Sequence, residues 1–387
     1  MTLQERALDA HRQWKGKIEI RSKTPVTTRD ELSLAYTPGV AAVSTAIAND
    51  HEKVWEFTSR GNMVAIVSDG SAVLGLGNIG PEAALPVMEG KAVLFKEFAG
   101  INAVPLCLAT QDPDEIIETV MRIAPSFGGI NLEDISAPRC FAIERQLKEK
   151  LDIPVLHDDQ HGTAIVVLAG IINAARIAEK ELHNLKIVIN GAGAAGTAIA
   201  QLLKKVGVDN IVVVDSRGII SSTRTDLNDA KKDLAKLTNP SRREGRIAEA
   251  IVDRDIFIGV SAPGILSADM VRTMAHDPII FALANPVPEI SPDEARAAGV
   301  RLIATGRSDM PNQINNALAF PGVFRGALDS KLSTINDDTK IAAANALAAC
   351  IPQPTVEAFI PSVFDPAVVP AVARAVIQSG THTCVTQ

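Results

Sequence analysis

Two pairs of adjacent acids carry most of the chemistry that this 387-residue sequence suggests: Glu133 and Asp134 in NLEDIS, and Asp158 and Asp159 in HDDQHGTA. If the two connections meet in the fold, four carboxylates repel one another and resist ionisation, and a hard divalent cation such as Mg2+ or Mn2+ would keep several of them charged. Spacing alone equally allows a solvated turn at the first pair and a helix cap just upstream of an apolar helix at the second. His157 and His161 are four residues apart, a spacing at which both can face one metal on a helix. The glutamate of HExxH is absent, however, which leaves a zinc-hydrolase reading weak.

A second chemical signal lies in KIVINGAGAAG, where Gly191, Gly193 and Gly196 have the spacing GxGxxG with Ala194 and Ala195 between the last two glycines. A strand-like KIVIN precedes it, the amphipathic TAIAQLLKKVG follows, and the next strand, IVVVD, ends at Asp215, 24 positions after Gly191. That context predicts a dinucleotide site: glycines let the backbone approach a pyrophosphate, and the helix N-terminus stabilises its charge. Asp215 is placed to accept hydrogen bonds from an adenosine ribose and to repel a 2′-phosphate, which tilts the expectation toward NAD. Arg217 follows closely and can pair with that phosphate, so NADP stays open.

A dinucleotide beside a carboxylate-bound cation suits one kind of reaction. Hydride transfer from an alcohol makes a carbonyl, and a cation polarising it can take up the electrons released when a carboxylate on the adjacent carbon leaves as CO2. Such chemistry needs a base for the hydroxyl and an acid for the enolate. Lys91 in EGK and Tyr36 in LAYTPG, the one tyrosine of the chain, are candidates, although a single lysine among 38 Lys and Arg residues is ordinarily solvated.

The elements that must position these groups read as α/β. In the first half, MVAIVSDG from Met63 and AVPLCLA from Ala103 are predicted strands, DEIIETVMRIAP and RCFAIERQLKEK helices, and GLGNIGPEAALPVMEG a long loop. In the second half, DIFIGVS, PIIFALANP and VRLIATG resume the strands after a polar excursion with a short helix, and IAAANALAA and AVARAVIQ are closing helices. The predicted organisation is an N-terminal α/β catalytic domain over 1–160, a Rossmann-type domain over 161–330, and C-terminal helices over 331–387 that pack back on the body.

Composition narrows the classes. A hydrophobic content of 47% excludes a disordered chain, and a net charge of −7 without a basic run argues against nucleic acid and against a strongly anionic membrane. No apolar signal core opens the sequence, and the longest apolar run meets Asn173 and Arg176 before it could cross a bilayer. Cys107, Cys140, Cys350 and Cys384 are far apart and without zinc spacing, which suits a reducing cytoplasm.

In order along the chain, LAYTPGV, SDGSAVLGLGNIG, EGKAVLFKEFAG, NLEDI, HDDQHGTA, INGAGAAG, VVVDSRG, FALANP and NNALAFPG make this sequence resemble the malic enzymes, specifically the short bacterial type. The resemblance implies NAD(P)-linked, divalent-cation-dependent conversion of (S)-malate to pyruvate and CO2. It puts Tyr36 on the general acid that protonates C3 of the enolate, Lys91 on the catalytic lysine, and Asp158 on its partner in hydroxyl deprotonation. Glu133, Asp134 and Asp159 fall on the metal ligands, and Asn285 and Asn316 on substrate-binding asparagines, with Asn285 also beside the cofactor. A homodimer or an assembly of dimers is implied, with parts of the site crossing between subunits. A malolactic enzyme, which returns the hydride and releases lactate, is the nearest alternative, and a non-catalytic nucleotide-binding regulator a more distant one.

Two further expectations concern charge. Larger relatives carry an arginine for a malate carboxylate where this chain has Ser71 and Ala72, and Lys96 in LFKEFAG is the candidate replacement. Lys91, beside a cation in a closing cleft, is expected to drop in pKa toward neutrality.

Overall fold

A computed structural model describes residues 1–73 and 75–383, with side chains described through Gly380, so Cys384 lies outside the described residues. Two parallel sheets organise the molecule. The first holds β1 (Met63–Ser68), β2 (Asn102–Cys107), β3 (Gly129–Leu132) and β4 (Val155–His157) in the order β2-β1-β3-β4. Its central strands are buried on both faces, which is why their sequences are nearly continuous apolar runs. The second holds β5 (Lys186–Asn190), β6 (Asn210–Asp215), β7 (Gly218–Ile219), β8 (Ile256–Gly259), β9 (Ile279–Ala282) and β10 (Leu302–Thr305) in the order β10-β9-β8-β5-β6-β7. All its pairings are parallel except β6 with β7. The chain leaves β5 to one side for β6 and returns to the other for β8, so the crevice between their ends is the switch point where such sheets bind ligands.

The strands expected from the sequence are present, and β3, β4 and β7, of four, three and two residues and too short for a periodicity signal, are additions. Two expectations change. The Gly/Pro-rich connection is mostly helix, Pro81–Ala99: Pro81 sits at its start, where a missing N–H costs nothing, and Pro86 is tolerated inside. That helix carries Lys91. The helix after β4 runs Asp158–Ile177, so Asp158 and Asp159 form its first turn instead of preceding it. Acids are favoured there by the positive end of the helix dipole.

The helix Asp158–Ile177 is buried along nearly its whole length and lies in one core with both sheets. The helix Asp337–Ala349 packs on it, and Val368–Thr383 packs on both Asp337–Ala349 and Phe320–Asp329. Phe320 and Phe324 meet Phe95 of the helix Pro81–Ala99, with ring centroids 4.6 and 5.4 Å apart. The C-terminal helices thereby lock the Lys91 helix to the helix that bears Asp158. The N-terminal helices Leu3–Trp14, Arg29–Ala35 and Val40–Asn49 contrast with this body, since none has a buried residue. No helix among the described residues is long and apolar enough to cross a membrane.

Candidate active site

Strand register brings the two acidic pairs together. β3 and β4 are neighbours with Leu132 opposite His157, so the residues that follow, Glu133 and Asp134 on one strand and Asp158 and Asp159 on the other, leave the sheet side by side. Asp134 turns out of the strand at φ +53°, a conformation that aspartate tolerates better than most residues. Its N–H donates to Asp159 Oδ2 at 2.8 Å, which ties the pairs to each other. Its carbonyl accepts from Ala72 N at 2.9 Å.

Lys91 reaches into this cluster from the helix Pro81–Ala99. Its Nζ lies 2.5 Å from Glu133 Oε2, donates to Asp158 Oδ2, and sits 4.4 Å from the centroid of the Phe320 ring. Asp158 is fully buried, folded over the first turn of its own helix where Gly162 leaves room: a Cβ there would stand 1.9 Å from Asp158 Oδ1. The glycine of HDDQHGTA is therefore a steric requirement of the aspartate four residues before it. Asn316 Nδ2 lies 3.4 Å from the Asp158 carbonyl, while its Oδ1 accepts from Thr163 at 3.1 Å, so both ends of that amide are held.

The electrostatics are unbalanced. Four carboxylates face one ammonium, and at 4 Å in a partly shielded site each pair of charges interacts by about 4 kcal/mol. Burial, with Asp159 beside it, pushes the Asp134 carboxyl up to about 8. Burial also raises Glu133 and Asp158, against the pull of Lys91. For Lys91 burial favours the neutral amine, but Asp158, Glu133 and Asp159 outweigh it and hold the ammonium above its ordinary range. The expected drop in its pKa is thus not met by the protein's own charges, because the acids that surround it are stronger than the desolvation. Carboxylate oxygens of Glu133, Asp134 and Asp159 lie within 4.8 Å of one another, and Asp134 Oδ2 and Asp158 Oδ1 are buried without a hydrogen-bond partner. An oxygen-only donor set with an orphaned buried oxygen fits a hard divalent cation.

The nucleotide end is built at the switch point. Gly191, at φ +128°, packs against Val260 of the strand connection beyond β8, and Gly196 approaches the Gly191 carbonyl so closely that a Cβ would lie 1.8 Å away. A Cβ at Gly193 would meet nothing within 4 Å, because that glycine opens onto a crevice of about 450 Å³. Asp215, Ser216 and Lys231 line one wall of it, and Ala137, Pro138 and Phe141 of the first sheet's connections line the other. Ala194 and Ala195 begin the helix Ala194–Lys205 at its mouth. Asp215 accepts from Arg224 at 2.8 and 3.2 Å, from Lys231 at 2.6 Å and from Arg217 N at 2.9 Å. Burial raises its carboxyl, but these donors prevail and hold it at about 2.

The remaining predicted residues are more dispersed. Asn285, after β9, is half-buried, and its carbonyl would lie 3.1 Å from a Cβ on Gly75, so the glycine-rich loop of the first sheet closes on it. Arg217 is largely exposed and pairs with Asp226 at 2.8 Å. Tyr36, at the end of the helix Arg29–Ala35, is 67% exposed, and among the described residues its hydroxyl makes no hydrogen bond to the acidic cluster. Lys96 is a correction. Five residues beyond Lys91 it has turned some 140° around the helix, away from the cluster, and Nζ donates to Asn102 Oδ1 at 2.9 Å. Ser71, next to Ala72 in the stretch that lacks the arginine, serves the scaffold, donating to Asp69 and accepting from Ser136 N.

His157 and His161 diverge. His157 faces Gln160 and Asp159, whereas His161 Nε2 donates to Glu144 Oε2 at 2.8 Å and Nδ1 accepts from Lys340 at 3.3 Å. Burial lowers His161 to about 4, despite Glu144, so the ring is neutral, as an imidazole accepting from a lysine must be. Glu144 was read only as part of a helix, yet a signal was available: it falls on the stripe Cys140, Ile143, Leu147 that the helix buries, a position where a carboxylate needs partners.

Comparison with known proteins agrees with this architecture. The family profile described as malic enzyme, N-terminal domain, matches residues 15–148, and that described as malic enzyme, NAD binding domain, matches 160–380. The chain is 55% identical to a bifunctional malic/malolactic enzyme of Bacillus subtilis, over 99% of this chain and 94% of that protein. It is 57% identical to an NAD-dependent malic enzyme of Geobacillus stearothermophilus, over 95% of this chain and 77% of the relative. The crystal structure of an NAD-dependent malic enzyme from Thermotoga maritima superposes with a TM-score of 0.93 at 51% identity, covering 96% of this chain and 98% of that one.

Proposed function

The chain belongs to the malic enzyme family, and from that premise we propose that it converts (S)-malate, with NAD or NADP, to pyruvate, CO2 and reduced cofactor. The observation that carries this reading is Lys91, buried between Glu133 and Asp158 and beside an acidic set suited to a divalent cation, in a body whose nucleotide crevice shares a wall with the same sheet. When bound, the cation would polarise the carbonyl forming at C2 and the nicotinamide would accept the C2 hydride. Glu133, Asp134 and Asp159 would hold Mg2+ or Mn2+, and that positive charge would oppose the field that keeps Lys91 protonated. Lys91, with Asp158 as its partner, then takes the C2 hydroxyl proton. Asn285 and Asn316 orient the substrate, Asn316 being fixed by Thr163 and the Asp158 carbonyl. Gly191, Gly193, Ala194, Ala195 and Gly196 cradle the pyrophosphate.

Tyr36 protonates C3, in this reading, across a subunit boundary. Support comes from its exposure and from the N-terminal helices around it, which bury nothing within one chain while displaying Leu3, Leu8, Trp14 and Leu34. A homodimer, or an assembly of dimers, covers such a surface. The cytoplasm is the expected compartment, with Cys107, Cys140 and Cys350 unpaired. Both cofactors fit Asp215, whose charge is offset by Arg224 and Lys231, so the tilt toward NAD is weaker than its position at the strand end suggests.

The test is direct: purified protein, (S)-malate and Mn2+ with either nucleotide, following reduced cofactor, pyruvate and lactate. Pyruvate should appear one-for-one with reduced cofactor, and EDTA should abolish it. Lactate without net reduction would move the assignment to the malolactic reaction, a second reading favoured by the double name of the Bacillus subtilis relative.

A further inference from the structure

His157 takes no part in the chemistry above, yet it is fully buried at the end of β4, two residues before a proposed cation ligand. Its Nδ1 lies 3.1 Å from Gln160 Nε2, and its Nε2 lies 3.3 Å from Asp159 Oδ2 without a well-aligned hydrogen bond of its own. The surrounding network fixes which nitrogen carries the proton. Glu144 accepts from His157 N at 3.0 Å and His161 Nε2 at 2.8 Å and pairs with Lys148 at 2.7 Å, as an ionised carboxylate does. Its Oε2 is also 3.3 Å from Gln160 Nε2. A carboxylate only accepts, so Gln160 must present its NH2 there, and the second hydrogen of that NH2 points at His157 Nδ1. Nδ1 is then an acceptor, and the proton sits on Nε2, toward Asp159.

We propose that His157 is a positioning residue whose Nε2–H, oriented by Gln160 and Glu144, holds the Asp159 carboxylate for the divalent cation. The inference rests on the reading that Glu133, Asp134 and Asp159 bind that cation. Asp134 N–H already donates to Asp159 Oδ2, and a second donor on the same oxygen leaves Oδ1 for the metal. Hydrogen-bond partners of metal-bound carboxylates fix ligand orientation, and losing one weakens metal binding by about 10- to 100-fold. A histidine that merely filled space would need neither a set tautomer nor a carboxylate within reach of its free nitrogen.

The experiment measures Mn2+ affinity of the full chain by electron paramagnetic resonance, without malate, and NADH affinity by fluorescence as a check on the fold. Asp159→Asn comes first: wild-type Mn2+ affinity in that variant would bring down the cation-site reading itself. With that affinity lost as expected, His157→Leu should bind Mn2+ about ten-fold more weakly with NADH affinity unchanged. His157→Gln, whose amide N–H reaches the region of Nε2, should stay within about three-fold of wild type. Unchanged Mn2+ affinity in His157→Leu, or equal losses in the Leu and Gln variants, overturns the inference and leaves the cation site standing. Should His157→Leu fail to bind NADH, Gln160→Leu decides, since it keeps the imidazole but frees its tautomer. About three-fold weaker Mn2+ binding supports the inference, and no change overturns it.

Discussion

Two groups of acids close parallel strands in this protein, and they have opposite charge balances. Beyond β3 and β4, Glu133, Asp134, Asp158 and Asp159 share one Lys91, and burial lifts the carboxyls of Glu133, Asp134 and Asp158. Beyond β6, Asp215 alone meets Arg224 and Lys231 and is held at about 2. The residue type is the same and the place on the sheet equivalent. The difference lies in how many cations the neighbouring elements deliver, and it says what each group still needs. The first is short of positive charge and suits a metal ion; the second is already compensated, which on the proposed reading lets it accept either nucleotide.

Removing the one cation of the first group is the largest perturbation. Lys91→Ala should lower kcat by about 10³-fold, the range for a lost proton-transfer group, while nucleotide affinity changes little. Comparable losses of both in a folded variant would show that Lys91 only supports the fold. Tyr36→Phe should resemble it in kcat, although the residue lies outside the cluster. Because Tyr36 is proposed to act across the subunit boundary, mixing the two inactive variants should recover activity, up to about a quarter of wild type if dimers reassemble at random. Mixtures that stay inactive after confirmed subunit exchange would place Tyr36 in the site of its own chain.

A second test uses proton competition. Asp134, raised to about 8 from 3.8, favours its protonated form in the folded protein. Its contribution to stability is present below 3.8 and is lost as pH rises through about 8, by up to about 1.4 kcal/mol per pH unit. A bound divalent cation replaces the proton, so saturating Mg2+ should raise Tm more at pH 8 than at pH 5. Asp215 contributes nothing in that window, since it is ionised throughout and loses its stabilising effect only as pH falls from 3.8 through about 2. A Mg2+-dependent rise in Tm that is equal at both pH values would count against cation binding at Asp134.

How much of this was legible beforehand follows the same physics. The acids, the glycine spacing and the longer apolar strands were readable because each is a local pattern, whereas β3 and β4, whose pairing brings NLEDIS beside HDDQHGTA, are too short to show one. The role of Gly162 was hidden, because it depends on an aspartate side chain folding back over its own helix. So was the connection before Lys91, where two prolines suggested a loop although one sits at the tolerated first position. Lys96 failed as a substitute anchor for a simple reason: its type was right and its helical phase was wrong. Asp215 was identified by its spacing, but the cations that neutralise it come from Arg224 and Lys231, 9 and 16 residues further on in a polar excursion with no readable period. Long-range compensation of charge is what one sequence conceals most completely.

That compensation supplies the smallest and sharpest test. Lys231 pairs with Asp215 at 2.6 Å, keeps 28% of its side chain exposed and lines the nucleotide crevice. Arg224 is more deeply engaged, holding Asp215 and Asp226 together, so its removal would disturb the loop as well as the charge. Lys231→Ala subtracts one positive charge and leaves that scaffold in place. Asp215 then faces a 2′-phosphate less well shielded, and KM for NADP should rise by about five-fold, the upper end for a partly exposed ion pair. KM for NAD, which brings no such phosphate, should move by less than about two-fold. Equal changes for the two nucleotides would mean that Lys231 supports the loop without tuning the choice between them, and the charge balance at β6 would no longer explain cofactor tolerance.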